Sequence, residues 1–306
     1  MKVSIFGGTG FVGNYIVDEL LNGDHEPHVL VRPQNVSKLI RANKCIVYSG
    51  NIENEAVIIE MMKNSDAVIY NIGLIRQYPK KGITYEKLHF QGVLHTIKLA
   101  ESVGVKRYIL MSANGVKMNG TPYQTTKYMA EQLLKNSTLD WTIFRPSLIF
   151  GDPRGTIEFC TQLKKDMLGL PIPAPLFYYG FLPQNVGSFS FSPVHVTDVA
   201  KCFVRTLEKE TTIGKTFEVG GEKTITWKTL IKTISSTYSK KKWTIPTPIF
   251  PIKLLAKLLD RFSWFPITAD QLTMLMEGNK CSSNVFEEFD VKPLEFSSEN
   301  LQYLNE

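Results

Sequence analysis

Gly7-Gly8-Thr9-Gly10-Phe11-Val12-Gly13 joins a short apolar run at residues 2–6 to a helical pattern from Val12 to Leu21. In that pattern Val12, Ile16 and Leu20, then Val17 and Leu21, recur at spacings of four, as one buried helix face requires. The glycines at 7, 10 and 13 follow G-x-x-G-x-x-G, and each has a physical task. Gly7 permits a tight turn, Gly10 lets the backbone come close to a diphosphate, and Gly13 lets the helix pack on the sheet. Free N–H groups at the helix N-terminus then meet the phosphates. The turn therefore predicts a dinucleotide site in which Gly7, Thr9, Gly10, Phe11, Val12 and Gly13 line the phosphates.

Working outward, strands are predicted at His28–Val31, Cys45–Tyr48, Asp66–Asn71, Arg107–Met111 and Trp141–Arg145. Helical stretches at 36–42, 53–63, 84–102 and 123–135 alternate with them, the third ending at Gly104. The strands are short and apolar on both faces, which marks a parallel sheet covered on each side. Right-handed crossovers then give an α/β fold with a Rossmann-type, doubly wound parallel sheet over residues 1–151. Beyond Gly151 the rhythm changes. Prolines cluster at 171, 173 and 175 and again over 246–251, with short strands at 189–194 and 216–219 and helices at 197–208 and 226–238. Residues 152–306 are read as a smaller, irregular C-terminal region on the substrate and partner side, whose elements can interleave with the first domain.

An NAD site places an acidic residue at the end of the second strand to accept from the ribose 2′-hydroxyl. Here the chain reads Val31-Arg32-Pro33, with Lys38 and Arg41 downstream. Arginine cannot accept a hydrogen bond, but its fork can hold a 2′-phosphate, so NADP(H) is favoured over NAD(H). Asn51 and Ile52, after the third strand, are placed near the adenine. Asn71, Ile72 and Gly73, ending the fourth, are placed beneath the nicotinamide ribose. Tyr123 and Lys127 are one helical turn apart and share a face. A lysine beside a phenol lowers its pKa, so the tyrosine could act as acid or base, while the lysine could also bond a ribose.

The glycine turn, the Tyr123/Lys127 pair and Arg145-Pro146-Ser147-Leu148-Ile149-Phe150-Gly151 resemble the atypical, extended-type short-chain dehydrogenases/reductases. More narrowly, Ser192-Pro193-Val194-His195-Val196-Thr197-Asp198-Val199-Ala200 and Asp270-Gln271-Leu272-Thr273-Met274-Leu275 are similar to the nucleotide-binding accessory subunits of respiratory complex I and their bacterial relatives. The resemblance runs over essentially the whole chain. It implies an epimerase-like fold and a tightly held NADPH of mainly structural role. The glycines, Arg32, Lys127 and Pro146 would contact cofactor, and Tyr123 would lie near the nicotinamide. Active extended enzymes usually carry Ser or Thr just past the fifth strand. Here the run is Met111-Ser112-Ala113-Asn114, which aligns Asn114 with that position and puts Ser112 nearer the strand. Asn can donate a hydrogen bond but cannot relay a proton through a hydroxyl. The candidate catalytic set is thus Tyr123, Lys127, Ser112 and Asn114.

Composition narrows the partners. The net charge of +6 is carried without any block of five like charges, so an acidic ligand or an anionic surface is expected rather than nucleic acid. Cys45, Cys160, Cys202 and Cys281 are widely spaced and the five histidines show no ligand spacing, so no metal site and reduced thiols are expected. Neither a signal peptide nor a membrane-spanning run is read. A cytoplasmic or matrix-equivalent location follows, with docking on complex I subunits and peripheral attachment to an inner membrane as the expected associations. His195 reads as a packed residue, and Asp198 as a helix cap or a substrate contact. In the amphipathic stretch 252–265, Leu254, Leu255, Leu258, Leu259 and Phe262 form an apolar stripe opposite Lys253, Lys257 and Arg261, with Trp264 and Phe265 following. Packing on its own domain and peripheral contact with a membrane or partner both remain open for it. Three functions compete: an assembly or accessory component, an NADP-dependent reductase or epimerase on a small or nucleotide-linked substrate, and a regulator sensing the NADPH/NADP ratio.

Overall fold

Strands and helices alternate through the first half of the chain in a computed structural model that describes residues 1–238, 241–259, 267–282 and 285–305. The first elements are β1 (Lys2–Phe6), α1 (Phe11–Asn22), β2 (Glu26–Val31), β3 (Ile46–Ser49), α2 (Glu55–Lys63) and β4 (Ala67–Tyr70). Next come α3 (Gly92–Val103), β5 (Arg107–Met111), α4 (Pro122–Lys135), β6 (Asp140–Pro146), β7 (Ile149–Phe150), α5 (Phe159–Leu163) and β8 (Ala174–Tyr178). Then follow β9 (Ser190–Phe191), β10 (Val194–His195), α6 (Val196–Arg205), β11 (Lys215–Val219), β12 (Ile225–Thr226) and α7 (Trp227–Thr237). The last are β13 (Thr244–Pro248), α8 (Ile249–Leu259), α9 (Ala269–Glu277) and α10 (Val285–Glu288).

One compact unit comprises Met1–Pro146, Val196–Val219 and Asn284–Lys292. It holds a seven-stranded sheet in the order β11-β6-β5-β4-β1-β2-β3, every pairing parallel. The order reverses between β1 and β4, which is where such sheets bind ligands. Strand side chains alternate, so each strand serves two cores. Phe6, Val68, Tyr70, Tyr108, Leu110 and Ile143 enter one core with Ile58 and Met62 of α2, Val93 and Ile97 of α3, and Ala130 and Leu134 of α4. On the other side α1 packs against α6. Arg107, at the start of β5, is buried. It donates to the Asp140 carbonyl (2.7 Å), Thr142 Oγ1 (2.9 Å), the Thr206 carbonyl (2.7 Å) and Thr212 Oγ1 (2.9 Å), tying β5, β6 and the chain after α6 together.

The second unit comprises Ser147–His195, Gly220–Ser283 and Pro293–Glu306. It contains three two-stranded pairings, β7 with β10, β9 with β12 and β8 with β13. Its core collects Phe150, Phe191, Trp227, Leu230 and Ile234, together with Leu301 and Leu304.

Three features depart from expectation. The helix expected over 36–42 is replaced by 3₁₀ turns at Pro33–Lys38 and Ala42–Lys44. Pro33 opens the first turn, and none of its six residues is buried, so no apolar face exists to draw it into an α-helix. The strand expected at 216–219 joins the main sheet, pairing with β6 from Lys215↔Thr142 to Val219↔Pro146. The stretch 189–194 divides into β9 and β10 around Ser192-Pro193, since proline donates nothing to a ladder.

Candidate functional site

The glycine turn leaves β1 at Gly7, whose φ of +92° is left-handed. A Cβ there would lie 2.8 Å from the Asn71 carbonyl oxygen, so the tips of β1 and β4 meet with no room for a side chain. Gly10 N–H closes the turn onto the Gly7 carbonyl at 3.2 Å. Gly13 packs so closely that a Cβ would fall 2.1 Å from the same oxygen. Gly8 is also constrained, because a Cβ there would stand 2.6 Å from Val29 Cγ1. Gly10 caps α1 without any side-chain hydrogen bond, and the first turn carries no acidic residue. The helix thus begins with bare, uncapped N–H groups at Phe11, Val12 and Gly13, beside the partly exposed Thr9. A glycine-walled cradle at an uncapped helix N-terminus matches a diphosphate in shape and sign.

Sequence reading passes over Asn14, which braces this turn. Its Nδ2 donates to the carbonyls of Gly10 (3.1 Å) and Lys38 (3.2 Å), and its Oδ1 accepts from Ile40 N–H (3.0 Å). One buried amide therefore fixes the phosphate turn to the segment that follows Arg32. Arg32 is exposed at the end of β2, with its guanidinium 2.8 Å from the Asn35 amide. Arg41 is turned away, donating to Asp18 at 3.2 Å. Asn51 is exposed, but its Oδ1 is used locally by Glu53 N–H (2.7 Å), and Ile52 is buried. Asn71 N–H donates to the Phe6 carbonyl at 2.9 Å, which sets Asn71 and Ile72 beside the turn.

Lys127 reaches the same crevice from the other side of β4. Thr121 and Gln124 form a reciprocal capping box and Pro122 opens the helix, so α4 starts at a fixed point. In the second turn, the buried Lys127 Nζ donates to the Met111 carbonyl at 2.7 Å. A Cβ on Gly73 would lie 3.8 Å from that nitrogen. Burial lowers the Lys127 ammonium to about 8, against the opposing attraction of Glu131. Tyr123 is half-buried, and burial pushes its phenol up to about 12. The phenol therefore moves opposite to the depression expected from the lysine, and burial is the cause.

Ser112 donates to Glu131 at 2.5 Å, and the same buried carboxylate accepts from Arg145 Nε (2.8 Å) and Nη2 (2.5 Å). Its hydroxyl hydrogen is thus committed to a structural carboxylate. Asn114 N–H donates to the carbonyl of Pro146, the last residue of β6, at 2.9 Å. Among the described residues no three His, Cys, Asp or Glu side chains gather as a metal site would require. His195 lies edge-on to Phe150 at 5.2 Å, and Asp198 is buried in the first turn of α6.

A second feature missed from sequence is the aromatic wall around Tyr123. A π-helical turn at Glu86–Gln91 turns His89 inward. His89 stacks on Tyr85 (5.2 Å, 21°), and Tyr123 stands edge-on to both rings. His89 Nε2 accepts from Leu74 N–H at 2.9 Å, which anchors the backbone just after Gly73. Burial first, and the Lys127 charge second, hold this imidazole neutral by lowering its pKa to about 2. Between pH 6.5 and about 2 the unfolded chain therefore binds a proton that the folded chain refuses, so stability falls as pH falls through that window. This group alone should remove about 2 kcal/mol on going from pH 7 to pH 5. Urea midpoints at the two values should show that loss in the parent protein and a much smaller one in His89→Gln. Equal losses would mean that His89 is not held neutral.

The NAD(P)H-binding family profile matches residues 7–173, more than half of the chain. The mitochondrial 40 kDa subunit of NADH-ubiquinone oxidoreductase from Neurospora crassa is 24% identical over 309 residues, spanning 98% of this chain and 78% of that protein. The photosystem II assembly factor Ycf39 of Synechocystis is 22% identical over 304 residues, spanning 96% of this chain and 87% of that one. UDP-glucose 4-epimerase of Thermotoga maritima, solved with UDP-glucose, shares the fold with a TM-score of 0.72 at 18% identity, over 100% of this chain and 97% of that chain. The extended short-chain dehydrogenase/reductase architecture read from the motifs is thereby borne out. With its glycine turn, seven-stranded parallel sheet and profile match in agreement, the chain belongs to the NAD(P)H-binding family.

Proposed function

We propose that this protein holds NADP(H), in preference to NAD(H), as a structural element and serves as an accessory or assembly component of a membrane NADH:quinone oxidoreductase. One observation carries the reading: the cradle for a dinucleotide is complete, while the proton-transfer groups beside it are engaged elsewhere. Ser112 is bonded to Glu131, Lys127 to the Met111 carbonyl, and the Tyr123 phenol is raised rather than lowered. The fungal relative, named as a subunit of such an oxidoreductase, spans nearly the whole chain and supports the same assignment. Peripheral association with an inner membrane on the matrix-equivalent side accords with it. No described helix is long and apolar enough to cross a membrane.

In this reading the α1 N-terminus holds the diphosphate, Arg32 the 2′-phosphate and Lys127 a ribose hydroxyl. Asn51 and Ile52 line the adenine side, and Asn71, Ile72, Gly73 and Pro146 the nicotinamide side. The bound dinucleotide would supply a hydride donor or acceptor at its nicotinamide. The chain's residues orient it and keep water away.

Purification from native membranes should recover the protein in a large complex, and mass spectrometry of the nucleotide released on denaturation should identify NADP(H). Arg32→Ala should weaken NADPH roughly ten- to a hundredfold, because charge-assisted contacts to the phosphate are lost, and leave NADH nearly unchanged. Equal losses for both nucleotides would remove the NADP(H) assignment. A second reading, an NADP-dependent reductase or epimerase acting on a small or nucleotide-linked substrate, draws on Tyr123 and Lys127 sharing one face of α4 near Gly73. Substrate-dependent oxidation of NADPH that disappears in Tyr123→Phe would favour it.

A further inference from the structure

The stripe that the sequence marks on α8 is not the side that the helix buries. Ile249 and Ala256 are buried and Ile252 half-buried; Ile249 and Ile252 pack in a core with Phe177, Leu272 and Met276. That leaves Phe250, Leu254 and Leu258, spaced by four along the opposite side, at 76%, 52% and 62% exposure. The expected continuation of the stripe through Phe262, Trp264 and Phe265 lies outside the described residues.

A second apolar group emerges beside this one. β8 and β13 are parallel, with Tyr178 opposite Pro248, so the chain leaves both strands at the same end. From β8 it runs into Tyr179, Phe181 and Leu182, at 65%, 104% and 66% exposure. From β13 it runs directly into α8. Six large apolar side chains are thus presented together, whereas isolated exposed ones would need no explanation.

The charges carried by these two segments are of one sign, and the nearest opposing charge is the Glu277 carboxylate of α9, which acts on Tyr179. Residues 167–197 contain no Asp, Glu, Lys or Arg, and the only charged residues over 241–259 are Lys241, Lys242, Lys253 and Lys257. Lys253 and Lys257 are exposed on α8 itself. We propose that this face of the second unit docks on an anionic phospholipid surface, with the aromatic and leucine side chains entering the headgroup layer and the lysines meeting lipid phosphates. The eleven described residues of α8 span about 16 Å, so the exposed apolar side chains follow one another along the surface. A two-fold contact with a second copy through this face would gather the lysines of both α8 helices into one patch and is disfavoured by that repulsion. The proposal rests on the reading of a peripheral membrane component and names the surface that makes the contact.

The test is co-sedimentation of the full chain, loaded with NADP(H), with vesicles of phosphatidylcholine alone or mixed with phosphatidylserine. Binding should require phosphatidylserine and weaken at high salt. It should fall at least about tenfold in Phe181→Asp/Leu258→Glu and in Lys253→Glu/Lys257→Glu. Both pairs alter exposed side chains, so thermal midpoint and NADPH affinity should match the parent. Absence of binding to anionic vesicles at low salt overturns the proposal, as does equal binding by the variants. A parent dimer that both variants dissolve also overturns it, since a second copy would then cover the face. The same holds if vesicles are ignored while a purified protein subunit binds in a way that the variants abolish. Should vesicle binding fail while the parent still co-purifies with the membrane complex and its nucleotide, the docking surface is wrong and the accessory function stands.

Discussion

Gly13→Ala should lower the thermal midpoint by about 6–12 °C and cost at least tenfold in nucleotide affinity, the effect of roughly 3 kcal/mol of overpacking. The added Cβ would sit 2.1 Å from the Gly7 oxygen, 2.8 Å from Gly8 Cα and 2.9 Å from the Gly7 carbonyl carbon. All three are backbone atoms of the turn, so no side chain can swing aside, and α1 must move off the end of β1. That movement withdraws the helix N–H groups from the diphosphate. Gly10→Ala is the informative companion. Gly10 has φ −84° and ψ 176°, open to any residue, and its Cβ would meet only the Gly7 oxygen, at an ordinary 3.5 Å. Stability should hold, while a methyl group at the exposed mouth of the cradle should still weaken NADPH binding. Calorimetric titration alongside thermal melts separates the two effects. A Gly10→Ala protein that binds NADPH like the parent would show that the diphosphate does not cross this turn.

The constraints on Gly10 and Gly13 are local, both set by the Gly7 carbonyl, which is why the turn could be read from sequence, whereas the contacts of Gly7 with Asn71 and of Gly8 with Val29 are not. Gly10 and Gly13 both close on the Gly7 carbonyl within seven residues, and the strand before and helix after carry their own periodicities. The parallel sheet was legible for a related reason, since strands buried on both faces are uniformly apolar. Pairings between distant segments were not legible. Nothing in Lys215-Thr-Phe-Glu-Val219 names β6 as its neighbour, and the match is made by the Thr212 and Thr206 contacts to Arg107 as much as by the strand itself. His89 was invisible as a site residue because its partner, Leu74 N–H, lies 15 residues away and is reached only through a π-helical turn. The stripe on α8 is apolar, but Ile249, Ile252 and Ala256 supply a second apolar side, and hydropathy is blind to which of the two the core takes.

The spacing of Tyr123 and Lys127 was legible, but their protonation was not, because desolvation is a property of the assembled fold. That difference makes the lysine a test of function against stability. Lys127→Met should stabilise the free protein by about 2 kcal/mol at neutral pH and at the same time weaken NADP(H) at least tenfold. The folded ammonium titrates at about 8 against an ordinary 10.5, so below pH 8 the fold carries the whole penalty of a charge held away from water. Between pH 8 and 10.5 the unfolded chain keeps its proton while the folded chain releases it, and parental stability rises with pH. The advantage of methionine should therefore be greatest at pH 7 and fade by about pH 10.5. The hydrogen bond to the Met111 carbonyl offsets part of the penalty, which holds the net gain below the full shift. A side chain that destabilises the empty fold has a reason to be there only if a ligand uses it. Denaturant melts across that pH range, read beside NADPH titrations, decide the matter: a Lys127→Met protein that is less stable and binds NADPH normally would make the lysine a structural prop and take the ribose contact out of the site.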